Sequence, residues 1–133
     1  MNLLETYNFH DTIMNSIDLE CRTIKMHYRE GIYLLNNDQC RETRIPCDLI
    51  LELDVRNHTE LINCVQIRVE KKGKVFEISV EKLRKMLQAA PFDIILYYSS
   101  PFNRSYLFCG YVGKARVELS ISNVFKTQVV FHQ

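Results

Sequence analysis

His10 and Asp11 stand side by side in the segment Phe9-His10-Asp11-Thr12, just ahead of the first strand-like run. An imidazole beside a carboxylate can serve general acid–base chemistry, hold a metal ion or fix a structural hydrogen bond. Successive residues of an extended segment point to opposite faces, so these two cannot easily serve one reacting atom, and each needs a further partner. Asp11, together with Thr12, is therefore expected to bond the backbone at the strand entry, with His10 packing or bonding at the sheet edge. If the chain is an enzyme or binds a small ligand, His10 and Asp11 are the first candidates to carry that chemistry.

The other residues that could ligate or react are scattered. The four histidines, His10, His27, His58 and His132, occur singly, without an H-x-x-x-H repeat or a paired cysteine motif. That spacing predicts no structural zinc site, so neither metal nor cofactor is expected. Cys21, Cys40, Cys47, Cys64 and Cys109 make an odd set with no C-x-x-C, which is expected to stay reduced. Cys47, Cys64 and Cys109 lie in apolar runs where a thiol acts as a small hydrophobe. Cys40 and Cys47 are the only pair that could meet locally, and they too are expected to remain unpaired. There is no G-x-S-x-G, no glycine-rich phosphate loop and no cysteine-hydrolase context, so binding is favoured over catalysis.

Two surfaces could bind. Lys71, Lys72, Lys74, Lys82, Arg84 and Lys85 form a basic stretch, interrupted by Glu70, Glu77 and Glu81. The interleaved glutamates favour a solvated charged face over a nucleic-acid groove, which needs several uncompensated cations. The whole chain, with 17 basic and 16 acidic residues and a formal charge of +1, sets up no field to attract a polyanion. Tyr97, Tyr98, Tyr106 and Tyr111 are the candidate contact residues for a partner, since tyrosine offers large amphipathic area at modest entropic cost.

The elements that position these residues follow a period of two. Ile13 to Glu20 and Ile24 to Arg29 form an opening hairpin about Cys21-Arg22, in a register that sets Leu19 opposite Ile24, Ile17 opposite Met26, Asp18 opposite Lys25 and Ser16 opposite His27. Gly31 precedes a short run over 32–35, and residues 36–39 have turn composition. In 47–55, Cys47, Leu49, Leu51, Leu53 and Val55 face one way and Asp48, Glu52 and Asp54 the other. Residues 65–70 and 75–80 flank Lys71-Lys72-Gly73 as a second hairpin, with Phe76, Ile78 and Val80 expected inward. The period then changes: Leu83, Met86, Leu87 and Ala90 fall on one helical face, Ser79 can cap the start and Pro91 ends the run. This is the one helix expected, near residues 80–90. Further strands follow around 93–100, 106–112, 115–122 and 124–131, with a turn over 101–105 and a break at Gly113-Lys114. The fold class is α+β: one domain spanning 1–133, mainly antiparallel sheet in hairpins and meanders, curved or barrel-like, with one helix on a sheet face.

Phe9-His10-Asp11-Thr12 followed by an isoleucine-rich strand resembles the opening of a diffuse set of small bacterial β-rich proteins with a Phe-His-Asp-small motif. Some of these are taken to be immunity proteins of polymorphic toxin systems. Here Thr12 takes the small position, and the near-zero charge departs from the acidic balance of many nuclease inhibitors. The resemblance implies sequestration of a partner protein, a toxin, without catalysis. No basic run leads into an apolar core at the start, and no apolar stretch reaches membrane-spanning length. The expectation is thus a cytoplasmic protein-binding module. An enzyme or ligand binder using His10 and Asp11, and a weak nucleic-acid binder using Lys71–Lys85, are the alternatives.

Overall fold

The computed structural model describes residues 7–36, 39–100 and 102–132. The strands are β1 (Tyr7–Asn8), β2 (Thr12–Met14), β3 (Ser16–Glu20), β4 (Thr23–Tyr28), β5 (Tyr33–Asn36), β6 (Gln39–Glu42), β7 (Cys47–Leu53), β8 (Val65–Lys71), β9 (Lys74–Ile78), β10 (Phe92–Ser100), β11 (Ser105–Val112), β12 (Ala115–Ile121) and β13 (Val124–Phe131). The helices are α1 (His58–Asn63) and α2 (Val80–Ala89). The strands form a six-stranded sheet in the order β2-β10-β11-β12-β8-β9, a four-stranded sheet β13-β7-β4-β3 and a small sheet β1-β5-β6. Neighbouring strands are antiparallel, which makes the fold α+β, and no closed barrel forms.

The two larger sheets share one core. From the four-stranded sheet come Ile17, Ile24, Met26, Tyr28, Leu49, Leu51 and Leu53; from the six-stranded sheet come Ile67, Val69, Phe92, Ile94, Phe108, Val117 and Leu119. Each set is the inward half of a period-two pattern, and burying it supplies the main drive to fold. The β3–β4 hairpin has the register expected from its apolar and charged pairs, with Ser16 opposite His27 and Asp18 opposite Lys25, but the strand expected over Ile13–Glu20 is divided: Thr12–Met14 form β2, which pairs with β10 in the other large sheet. Its turn begins at Cys21, which takes a left-handed backbone with φ 54°. At the β8–β9 turn Lys72 and Gly73 both have positive φ, as a two-residue hairpin loop with the right twist requires.

Helix α2 starts where Ser79 Oγ accepts the Lys82 N–H at 3.1 Å and stops ahead of Pro91. Val80 was expected at the end of a strand but is the first helical residue; β9 ends at Ile78 because the Ser79 cap turns the chain. Phe76 lies on the inward side of β9 but remains 45% exposed, since β9 is the edge strand. Three further elements were not expected, the two-residue β1 among them. Helix α1 is one short turn and a half, too brief for apolar periodicity, and Asn57 Oδ1 caps it by accepting the Glu60 N–H at 2.9 Å. β6 pairs with β5, where the sequence has little alternation. A turn was expected over 36–39; Asn36 ends β5 and Gln39 begins β6, and residues 37–38 lie outside the described residues.

Two features of β10 and β11 shape the surface. A bulge between Ile94 and Leu96 reverses the inside–outside alternation of β10, so Phe92 and Ile94 point inward before it and Tyr97 after it. Opposite this point lies Gly110, where an added Cβ would sit 1.8 Å from the Asp93 carbonyl oxygen. Only glycine lets the two strands approach so closely. Left-handed backbone also occurs at the non-glycine residues Asp11, Arg44, Arg104 and Asn123.

Candidate functional site

The chain turns tightly at His10–Asp11 and enters β2 at Thr12, so Phe9–Thr12 is not the extended run the sequence suggested. Phe9 is fully buried and packs on Tyr28, Tyr97 and Phe108, with ring centroids 5.4, 5.6 and 6.4 Å away. It plugs the junction of the two large sheets. The His10 ring lies 4.7 Å from that of Tyr97, and its Nδ1 is 3.3 Å from the Ile95 carbonyl at the bulge, a contact in which the nitrogen must donate. Asp11 is exposed with φ 57°, a backbone that aspartate tolerates better than most residues. The side-chain bond expected of Asp11 is made by Thr12, whose Oγ1 donates to the Phe9 carbonyl at 2.6 Å. The short hydroxyl sits where the turn closes, while the left-handed Asp11 directs its carboxylate to solvent. His10 and Asp11 therefore diverge, and no described third group joins them into a catalytic set.

The four candidate tyrosines divide between two faces. Tyr106 is buried in the core, and Tyr97 is half-buried on the inward side with its hydroxyl donating to the Tyr7 carbonyl at 3.1 Å. Tyr98 and Tyr111 point outward. They lie on the outer face of β10 and β11 with Ile95 and Leu96, all four substantially exposed, and with the partly buried Leu107 and Cys109. Leu96 stands opposite Cys109 and Tyr98 opposite Leu107, which makes this a continuous apolar strip. Phe102, at the tip of the same hairpin, is 99% exposed. Helix α2 packs towards β3 and β8, away from the strip.

Along β12, β8 and β9 that outer face is mainly charged. Glu70 stands opposite Arg116 and Arg68 opposite Glu118 across β8 and β12, and the Arg116 guanidinium comes within 3.9 Å of both Glu70 and Glu118. The basic stretch, expected as a solvated charged face, is divided in space. Lys71, Lys72 and Lys74 sit at the β8–β9 tip, at the far end of β9 from the start of α2, where Lys82, Arg84 and Lys85 lie. Arg84 is already paired with Asp18 at 2.9 Å.

A cluster that local spacing did not reveal lies on the outer face of the four-stranded sheet. His27 of β4 stands directly opposite Asp48 of β7, and His132 follows β13 on the other flank of β7. The His132 N–H donates to the Pro46 carbonyl at 2.8 Å, which fixes this last turn of chain beside Asp48. His27 Nδ1 is 2.6 Å from Asp48 Oδ1 and His132 Nε2 is 2.7 Å from Asp48 Oδ2. The two rings are 6.0 Å apart. Asp48 is buried, whereas both rings are partly open to solvent. Burial alone would raise the Asp48 carboxyl, but hydrogen bonds from His27 and His132, with their charge, lower it below its ordinary value. The arrangement is a carboxylate clamped by two imidazoles, a donor set that can also hold a metal ion.

All five cysteines are free. Cys47 is buried on the inward face of β7, and burial followed by the neighbouring Asp48 charge pushes its thiol up to about 12. Burial likewise raises the Cys109 thiol. Cys64 is buried at the end of α1, where its sulfur accepts from Asn123 Nδ2 at 3.3 Å. Cys21 and Cys40 are exposed.

Compared with family models, curated proteins and solved structures, the chain finds no match. Among the described residues no helix is long and apolar enough to cross a membrane.

Proposed function

We propose that the chain is a cytoplasmic protein-binding module that takes up a partner protein on the outer face of its six-stranded sheet. The observation that carries this reading is the exposed strip of Ile95, Leu96, Tyr98 and Tyr111, extended at the hairpin tip by Phe102. Large apolar side chains grouped on one face and rimmed by polar residues are the pattern of a protein interface. The neighbouring Arg68 and Arg116 share the face with Glu70, Glu77 and Glu118, a charged rim in which acidic side chains outnumber basic ones, which suits a protein partner better than phosphates. The finer reading, taken from the resemblance of residues 9–12 to immunity proteins, is that the partner is a toxin which the module sequesters.

The test is co-expression with the protein encoded immediately upstream, followed by gel filtration. A stoichiometric complex should form with the parent chain and be lost in Leu96→Glu/Tyr98→Glu. The double variant should keep the parent's circular dichroism, because both side chains already face solvent. A complex that survives both substitutions moves the interface elsewhere. Self-association that the same substitutions abolish assigns the face to a second copy of the chain.

A further inference from the structure

We propose that His27, Asp48 and His132 bind one divalent transition-metal ion of the zinc class, on the sheet opposite to the apolar strip. The donors are two imidazole nitrogens and a carboxylate, the ligand types that zinc takes in sites keeping an open position. Their donor atoms all lie within 4.8 Å of one another. Nitrogen and oxygen donors sharing a tetrahedral zinc ion sit roughly 3.3 to 3.6 Å apart, given bond lengths of about 2.0 to 2.2 Å. The two imidazole nitrogens now stand 2.6 and 2.7 Å from the carboxylate oxygens, closer than ligands of one ion, so both partly exposed rings swing back from Asp48 to admit it.

Backbone geometry positions all three donors before any ion arrives. Directly opposed places on β4 and β7 fix His27 against Asp48, and the bond from the His132 N–H to Pro46 fixes the third. Asp48 and Thr12 are the buried polar residues among those described, and Thr12 is accounted for by its bond to Phe9. In the present arrangement each ring donates its N–H to one carboxylate oxygen. To admit a cation, each imidazole binds in its neutral form with its proton on the other ring nitrogen: His27 on Nε2 in place of Nδ1, His132 on Nδ1 in place of Nε2. The two freed lone pairs and the carboxylate then converge on the ion, with no net change in protons. Because the rings are partly open to solvent, a fourth position is left for water. Magnesium and calcium, which prefer oxygen ligands, are excluded by the imidazoles.

The test is titration of the untagged chain with zinc chloride, followed through the ring nitrogen-15 shifts of its histidines. One equivalent should shift both His27 Nδ1 and His132 Nε2, and magnesium at the same concentration should shift neither. His132→Gln, a change at a half-exposed side chain outside the core, should weaken binding by more than about tenfold. The exposed thiols Cys21 and Cys40 also attract zinc, so the titration is repeated in Cys21→Ser/Cys40→Ser, where both ring responses should persist. A response from only one of the two rings, from neither, or an affinity unchanged in His132→Gln overturns the site and leaves a hydrogen-bonded cluster.

Discussion

His27 and Asp48 face one another as a directly opposed pair across β4 and β7, and the imidazole meets the buried carboxylate at 2.6 Å. A contact so short to an ionised acceptor belongs to the stronger class of side-chain hydrogen bonds. A double-mutant cycle of His27→Ala and Asp48→Ala, read by urea unfolding, should give a coupling on the order of 1 kcal/mol. Strictly additive losses would mean that the pair is in contact without contributing to stability.

The Phe9–Thr12 turn divides its work among its residues. Thr12→Val removes the hydroxyl bonded to the Phe9 carbonyl and should destabilise by about 1 kcal/mol. Asp11→Gly should be neutral or slightly stabilising, because glycine fits the left-handed backbone and the carboxylate bonds to none of the described residues. Thermal melts of both variants decide the matter; a larger loss in the glycine variant would return the structural role to Asp11.

Tyr28 is fully buried, and its hydroxyl has no hydrogen-bond partner among the described residues. A buried hydroxyl without a partner carries a desolvation cost of about 1–3 kcal/mol. Tyr28→Phe keeps the ring contact with Phe9 and removes that cost, so its midpoint in urea should equal or exceed the parent's. A clear loss of stability would reveal a bond to the hydroxyl.

Cys47 should make the protein labile to alkali. Its folded thiol is raised from the ordinary 9.0 to about 12, so between those values the folded chain keeps a proton that the unfolded chain has released. Stability from this source is intact below pH 9.0 and is lost as the pH rises towards about 12. Cys47→Ala should flatten that decline in unfolding experiments. At pH 8, iodoacetamide should label Cys21 and Cys40 quickly and Cys47 and Cys64 slowly; equal rates would contradict the burial.

The β3–β4 hairpin was legible in the sequence because apolar and charged partners fall opposite one another in only one register. Helix α2 was legible through its Ser79 cap and Pro91 stop. Helix α1 had only Asn57 and Glu60 to announce it, a capping signal without periodicity behind it. The parity of Tyr97 against Tyr98, and of Tyr106 against Tyr111, already denied the four tyrosines a common face. Which of Tyr97 and Tyr98 turned outward depended on the bulge in β10, set by a close approach of two backbones at Gly110. The outward directions of His27 and Asp48 could be read from alternation. Their meeting with His132 could not, because it depends on a sheet order that joins residues 21 and 84 positions apart.

The left-handed turns have a bearing on how this sequence can change over time. Cys21, Arg44, Lys72 and Arg104 hold positive φ with side chains poorly suited to it, at roughly 1 kcal/mol each by the general preference against that region. Replacement by glycine or asparagine relaxes the backbone at each place, and all four lie on loops outside the core and the apolar strip. A lineage carrying this fold therefore has compensating steps within one or two nucleotide changes. Such steps would let it tolerate otherwise damaging substitutions on the β10–β11 face, the surface proposed above to take up a partner.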